Sequence, residues 1–117
     1  MKSCLFALGF LTLGVVPGVA GEKLNSKEIK AMFPGTYQGV YGKSTAFEVH
    51  GNANGTIRGI AEGKHDKGKW WVQGNRLCMA WTVWASGKSK CRVVEKRGAW
   101  FVGLNSKGKV KLKVRRK

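Results

Sequence analysis

The sequence predicts an all-β domain, a small antiparallel up-and-down barrel or sandwich of about eight strands with one short N-terminal helix. Three observations carry that prediction. From residue 36 onward, apolar and polar residues alternate in short runs, the period of a half-buried strand. Tight clusters of Gly, Asn, Ser and Lys separate those runs, as at Gly74-Asn75 and Ser106-Lys107-Gly108. Eight such runs within a 117-residue chain leave room only for hairpin connections, so the strands must meander.

Residues 1–21 read as a secretory signal. Lys2 supplies the positive start, residues 4–16 form an uncharged apolar run, Pro17-Gly18 ends it, and Val19-Ala20-Gly21 offers small residues for cleavage. The apolar run is shorter than the roughly 20 residues a membrane helix needs, so no transmembrane segment is expected after removal. Residues 22–117 then make one β domain, periplasmic or secreted. Cleavage removes Cys4 and leaves Cys78 and Cys91 in an oxidising compartment, where a disulfide between them is expected.

Charge is the strongest compositional signal. The chain carries 22 Lys and Arg against 6 Asp and Glu, a net charge of +16. That excess points to an anionic partner, or to a generally basic soluble surface.

Asn25-Ser26-Lys27-Glu28 has the form of a capping box, and Ile29, Met32 and Phe33 follow on one helical face before Pro34-Gly35 stops the helix. A helix over 26–33 is predicted, docking by that stripe. The predicted strands span 36–41, 45–50, 56–62, 69–73, 76–84, 90–95, 99–104 and 109–115. Gly39, Gly59 and Gly103 fall inside them, where a glycine marks a bulge or bend.

Turn chemistry sets register, and register sorts side chains between two faces. A two-residue turn at Gly74-Asn75 pairs Trp70 with Met79, Trp71 with Cys78 and Val72 with Leu77. Three-residue loops at Lys96-Arg97-Gly98 and Ser106-Lys107-Gly108 pair Val94 with Trp100 and Leu104 with Val110. On this reading the core face holds Trp70, Val72, Leu77, Met79, Trp81, Val83, Val94, Trp100, Val102, Leu104, Val110, Leu112 and Val114. The other face holds Trp71, Cys78, Trp84, Cys91, Val93 and Phe101 with Lys109, Lys111, Lys113 and Arg115. A tight turn at residues 86–88 would keep the two cysteines too far apart to bond. A disulfide therefore requires a wide, irregular loop between Trp81 and Ser89, which takes Trp84 out of regular strand. Arg92 has inward parity and either sits at the barrel mouth or is turned out by a bulge.

The outer face is the candidate binding surface. Trp71, Trp84 and Phe101 offer flat rings beside Lys109, Lys111, Lys113 and Arg115, a pairing suited to stacking on sugars or bases while neutralising phosphate or carboxylate. The alternative is that the helix covers those rings and only the cations stay exposed. The alternating run Val-Lys-Leu-Lys-Val-Arg-Arg-Lys (110–117) reads both as a protected edge strand and as an electrostatic docking strip. Chemistry of other kinds has no support. His50 and His65 lack ligand partners at metal spacing, so no metal or cofactor is called for. Glu62 and Asp66 flank a turn and read as solubility, not as paired catalytic carboxylates. Asn54-Gly55-Thr56 matches a glycosylation sequon and equally a type I′ turn.

The runs Phe33-Pro34-Gly35-Thr36-Tyr37, Gly68-Lys69-Trp70-Trp71-Val72, Gly74-Asn75-Arg76-Leu77-Cys78 and Cys91-Arg92-Val93-Val94, with Trp81 and Trp84 between them, carry a resemblance over most of 33–104. The chain resembles small exported proteobacterial β-proteins, carried in families of unknown function, with a G-x-W-x-V, L-C, W, C pattern. The resemblance implies a periplasmic or secreted, lipocalin-like or half-barrel domain with a paired cysteine. This chain departs from it in its strongly basic last strand, and the pattern transfers no catalytic residue.

The function expected from the sequence is a non-enzymatic exported binding module for an anionic envelope or extracellular ligand (lipopolysaccharide, acidic polysaccharide or anionic lipid), with an anionic polymer or membrane surface as partner. Non-specific nucleic-acid binding has the right charge but no motif. The competing readings are a lipocalin-like barrel with a small ligand inside, and an inhibitor or partner of an acidic exported protein. With Trp70, Trp81 and Trp100 all inward, the barrel interior is expected to be filled.

Overall fold

The structure, a computed structural model, describes residues 21–117, so the signal reading lies outside the described residues except for Gly21. The elements are β1 (Glu22–Lys23), α1 (Ser26–Lys30), β2 (Gly35–Tyr41), β3 (Thr45–Gly51), β4 (Thr56–Ala61), β5 (Lys64–Gln73), β6 (Arg76–Trp81), a 3₁₀ turn (Trp84–Gly87), β7 (Lys90–Arg97), β8 (Trp100–Leu104) and β9 (Val110–Arg116). Each strand from β2 to β9 pairs antiparallel with the next, and β9 returns to pair with β2. The sheet is thus an eight-stranded closed barrel, which settles the choice between barrel and sandwich. Closure pairs both edges of every barrel strand. β1 adds a short ninth strand on β7 at Glu95 and Lys96, beyond Val93, where the pairing with β6 ends. Among the described residues no helix is long and apolar enough to cross a membrane.

The capping box forms as expected: Glu28 N donates to Asn25 Oδ1 and Asn25 N to Glu28 Oε1, both at 2.9 Å. The helix is shorter than predicted, ending at Lys30, and a turn then carries Met32 and Phe33 inward. Ser26 N donates to Asn75 Oδ1 (3.0 Å), tying the helix to the β5–β6 turn. The apolar stripe does not cover the outer aromatics. It closes one end of the barrel, where Phe33 stacks on Trp70 with ring centroids 4.1 Å apart. Gly51 leaves the room for this, since a Cβ there would collide with the Phe33 ring.

The polar groups around this plug are satisfied. Trp70 Nε1 donates to the Asn52 carbonyl (2.7 Å), and Tyr37 Oη donates to the Met32 carbonyl (2.7 Å). Arg116 in turn donates to Tyr37 Oη at 2.9 Å. Burial raises the Tyr37 pKa above its ordinary value while the Arg116 guanidinium pulls the other way, so the phenol stays a neutral donor.

Register follows the sequence reading through β5 and β6: Trp70 faces Met79, Trp71 faces Cys78 and Val72 faces Leu77. The wide loop is also present. Residues 82–89 leave the strands, Met79 pairs with Lys90, and Cys78 lies directly opposite Cys91. The disulfide joins them with Cα atoms 4.0 Å apart.

Three local readings are corrected. The β4–β5 turn is two residues, Glu62 (φ 52°) and Gly63 (φ 77°), both left-handed as a type I′ turn requires, so β5 begins five residues before the predicted start at 69. The turn after Asn52 is not type I′: only Gly55 is left-handed, and Asn54 Oδ1 accepts from the Thr56 backbone and hydroxyl.

The third correction has the largest consequence. β7 and β8 are joined by a two-residue turn at Gly98-Ala99, with Gly98 left-handed (φ 64°), so Arg97 pairs with Trp100 and Val94 with Gly103. The parity of β8 is opposite to that expected. Phe101 points into the barrel, while Trp100, Val102 and Leu104 share the outward side with Glu95 and Val93. A bulge between Val110 and Leu112 then restores Leu112 and Val114 to the interior and leaves Val110 on the exposed side. Val83 is not core either, because β6 ends at Trp81 and Val83 is 70% exposed.

Candidate binding cavity

Alternation along the barrel strands turns one side chain in two toward the axis. At the helix end these residues pack solidly: Ile57, Trp70 and Leu77 join Phe33 in the buried core. Toward the other end they do not fill the space. A cavity of about 380 Å³ remains, lined by Tyr37, Phe47, Val49, Met79, Trp81, Val94, Phe101, Leu112 and Val114 among others. Its size falls within the range of small-molecule sites, roughly 300–1,000 Å³. The expectation of a filled interior fails because Trp100, one of the three rings assigned to it, stands outside.

The 82–89 segment forms an overhang at the mouth. Thr82 N and Oγ1 both donate to the Lys67 carbonyl. The Asp66 carboxylate accepts from Val83 N (2.9 Å) and Trp84 N (2.8 Å) through Oδ2, and from Lys67 N (2.8 Å) through Oδ1. These contacts carry Trp84 back over the opening, where its ring sits 4.7 Å from that of Trp81. Gly59 admits it: a Cβ there would come within 2.9 Å of Trp84 Cζ3. The turn holds Ala85 (φ 57°) and Ser86 (φ 55°) in left-handed backbone, a conformation that costs non-glycine residues on the order of 1 kcal/mol each.

Asp66 is therefore a structural latch, not the solubility residue that the sequence suggested. Partial desolvation works against its ionisation, but the N–H donors of Trp84, Val83, Lys67 and Thr82 outweigh it, and its pKa lies below the ordinary value. A carboxylate depressed in the folded state contributes stability above its unfolded pKa, about 3.9, and loses that contribution as pH falls through the lower folded value. The overhang is expected to loosen below about pH 4. Near-ultraviolet circular dichroism from the Trp81–Trp84 pair should then weaken, and Asp66→Ala should weaken it at neutral pH. An unchanged signal in both would show that Asp66 does not hold the overhang.

Charged groups gather at the lip. Lys64, Lys90 and Arg92 line the cavity with Glu62 as their one acidic neighbour there. Arg92 keeps the inward parity read from the sequence, opposite Leu77, and its stem lies by Gly103, where a Cβ would stand 3.3 Å from Arg92 Cδ.

The three aromatics proposed for an outer platform do not share a surface. Trp71 is outward and 36% exposed, Trp84 hangs over the mouth, and Phe101 packs inside against Tyr37 with centroids 5.8 Å apart. Of the cations, Lys109 is exposed in the β8–β9 turn, and Lys111 is half-buried at the bulge. Lys113 and Arg115 face outward against Trp100, at 4.8 and 5.1 Å from its ring. Trp100 thus supplies the outer ring that Phe101 was expected to supply. Arg116 is tied to Met32 and Tyr37, and Lys117 pairs with Glu48 at 2.9 Å.

Fold and site together define a closed up-and-down β-barrel, plugged at one end by a helix and hollow toward the other. Comparison with protein-family models, curated proteins and solved structures finds no match to this chain.

Proposed function

We propose that this protein is an exported, non-enzymatic carrier that holds a small apolar ligand inside its barrel. The observation that carries this reading is the apolar cavity of about 380 Å³ under the Trp84 overhang. An apolar ligand gains by leaving water for such a site, at about 25 cal/mol per Å² of apolar surface buried. The walls need little rearrangement, because the barrel is closed and cross-linked. Export is supported by the Cys78–Cys91 bond, which persists in oxidising compartments. An uncharged polarity-sensitive naphthylamine dye should brighten saturably with the protein. Ala61→Phe, which places a ring in the cavity wall, should weaken that binding at least about tenfold, or about 1.4 kcal/mol, with unchanged far-ultraviolet circular dichroism. Emission that never saturates would contradict the reading.

A second reading, binding of an anionic polymer or membrane surface, is favoured by Lys113 and Arg115 standing together on the outer face against Trp100. Heparin and lipopolysaccharide are its probes. Binding should fall steeply with salt, because exposed charges are screened within about 10 Å at 0.1 M. The Lys113→Ala/Arg115→Ala protein should elute from heparin at lower salt. Unchanged elution would remove this face from consideration.

A further inference from the structure

The cavity is apolar on nearly all sides but carries one guanidinium within its wall. Arg92 is half-buried and inward, and among the described residues its guanidinium has no hydrogen-bond or ion-pair partner. This is not the pattern of the other arginine at the barrel axis, Arg116, whose guanidinium donates to Met32 O and Tyr37 Oη. The N–H donors of the Arg92 guanidinium are therefore unclaimed by the protein and free to bind an anion in the cavity. Lys90 and Lys64 line the same cavity with Glu62, and with the Asp66 carboxylate of the overhang counted as well, three cations face two carboxylates and the mouth stays net positive.

Resting on the cavity reading, we infer that the ligand is a single-chain amphiphile with a carboxylate head, its apolar chain in the barrel and its carboxylate on Arg92. The planar fork of Arg matches a carboxylate through two parallel hydrogen bonds, and partial desolvation strengthens them. Lys90 and Lys64 add attraction at the lip without fixing geometry. The chain end meets the solid plug of Phe33, so the ligand enters tail first and its head stops on the Gly103 side, where the Arg92 stem lies. The cavity's size, at the small end of ligand sites, selects one short chain.

Isothermal titration of the intact domain with decanoate and with decanol tests this. Decanoate should bind at least about tenfold more tightly than decanol. Arg92→Gln should erase that preference while changing decanol affinity less than about twofold, and Arg92→Lys should restore part of it. Decanol binding in each variant reports directly that the cavity is intact. Equal binding of the two ligands to the unaltered protein, or equal loss of both in Arg92→Gln, overturns the carboxylate assignment while leaving the apolar carrier reading in place. Failure of both ligands to bind the unaltered protein overturns both.

Discussion

Trp70→Ala is expected to remove a large share of the domain's stability. Trp70 is the hub of the closed end: its ring is 8% exposed, stacks on Phe33, and donates to the Asn52 carbonyl. Truncating a buried Trp costs about 3–5 kcal/mol, against a total of about 5–15 kcal/mol for a typical domain. Here the loss spreads, because Phe33 loses the surface that seats the helix plug. Urea unfolding followed by far-ultraviolet circular dichroism should show the midpoint fall by about 2 M or the folded baseline vanish. Trp70→Phe should be milder, keeping a stacked ring but leaving the Asn52 carbonyl without its donor, at about 1–3 kcal/mol. A Trp70→Ala protein within about 1 kcal/mol of the original would mean that the plug is not the anchor of the barrel.

Loss of the disulfide comes next in size. The Cys78–Cys91 bond spans a sequence separation of 13, and closing a loop of this length stabilises a fold by about 3 kcal/mol in the chain-entropy picture. The Cys78→Ala/Cys91→Ala protein should therefore melt on the order of 15 °C lower. The bond lies at the base of the 82–89 overhang, clamping β6 to β7 where their pairing runs only four residues on each strand. Ligand affinity should fall with it, because Trp84 is carried by the segment the bond secures. Equal melting temperatures for the two proteins would contradict the stapling role. Alkylation of the native protein should label neither Cys78 nor Cys91.

These effects divide by how well local chemistry determines them. Strand alternation and turn residues are local, so eight strands, the capping box and the Gly74-Asn75 register could be read from the chain alone. The pairing of Cys78 with Cys91 was legible from cysteine count instead, since only two remain after residue 21, and local turn chemistry opposed it until the loop between them was allowed to be wide. The β7–β8 turn was not. Lys96-Arg97-Gly98 and Gly98-Ala99 both suit a hairpin, and Gly98 serves either, but they differ by a slip of three residues, and an odd slip reverses every side chain of the strand that follows. That slip alone exchanges Trp100 and Phe101 and turns a filled interior into a hollow one. A signal was present, since the two-residue turn places Gly103, not Trp100, opposite Val94, and a glycine facing a barrel axis makes space. Asp66 was out of reach for another reason. Its partners Val83 and Trp84 lie 17 and 18 residues away, and although the Gly74-Asn75 register runs on to set Asp66 opposite Val83, the expected strand began only at 69. The cations of the last strand show the intermediate case. Alternation placed Lys113 and Arg115 outside, whereas the engagement of Arg116 with Tyr37 depends on the helix end.

The most direct test of the central claim is the set of intermolecular nuclear Overhauser effects between unlabelled decanol and the isotope-labelled protein. Contacts are expected from the alkyl chain to the inward methyls of Val49, Met79, Val94 and Leu112, with none to the outward Val40, Val83 and Val110. Contacts confined to those outward methyls, or none at all at saturating decanol, would contradict it.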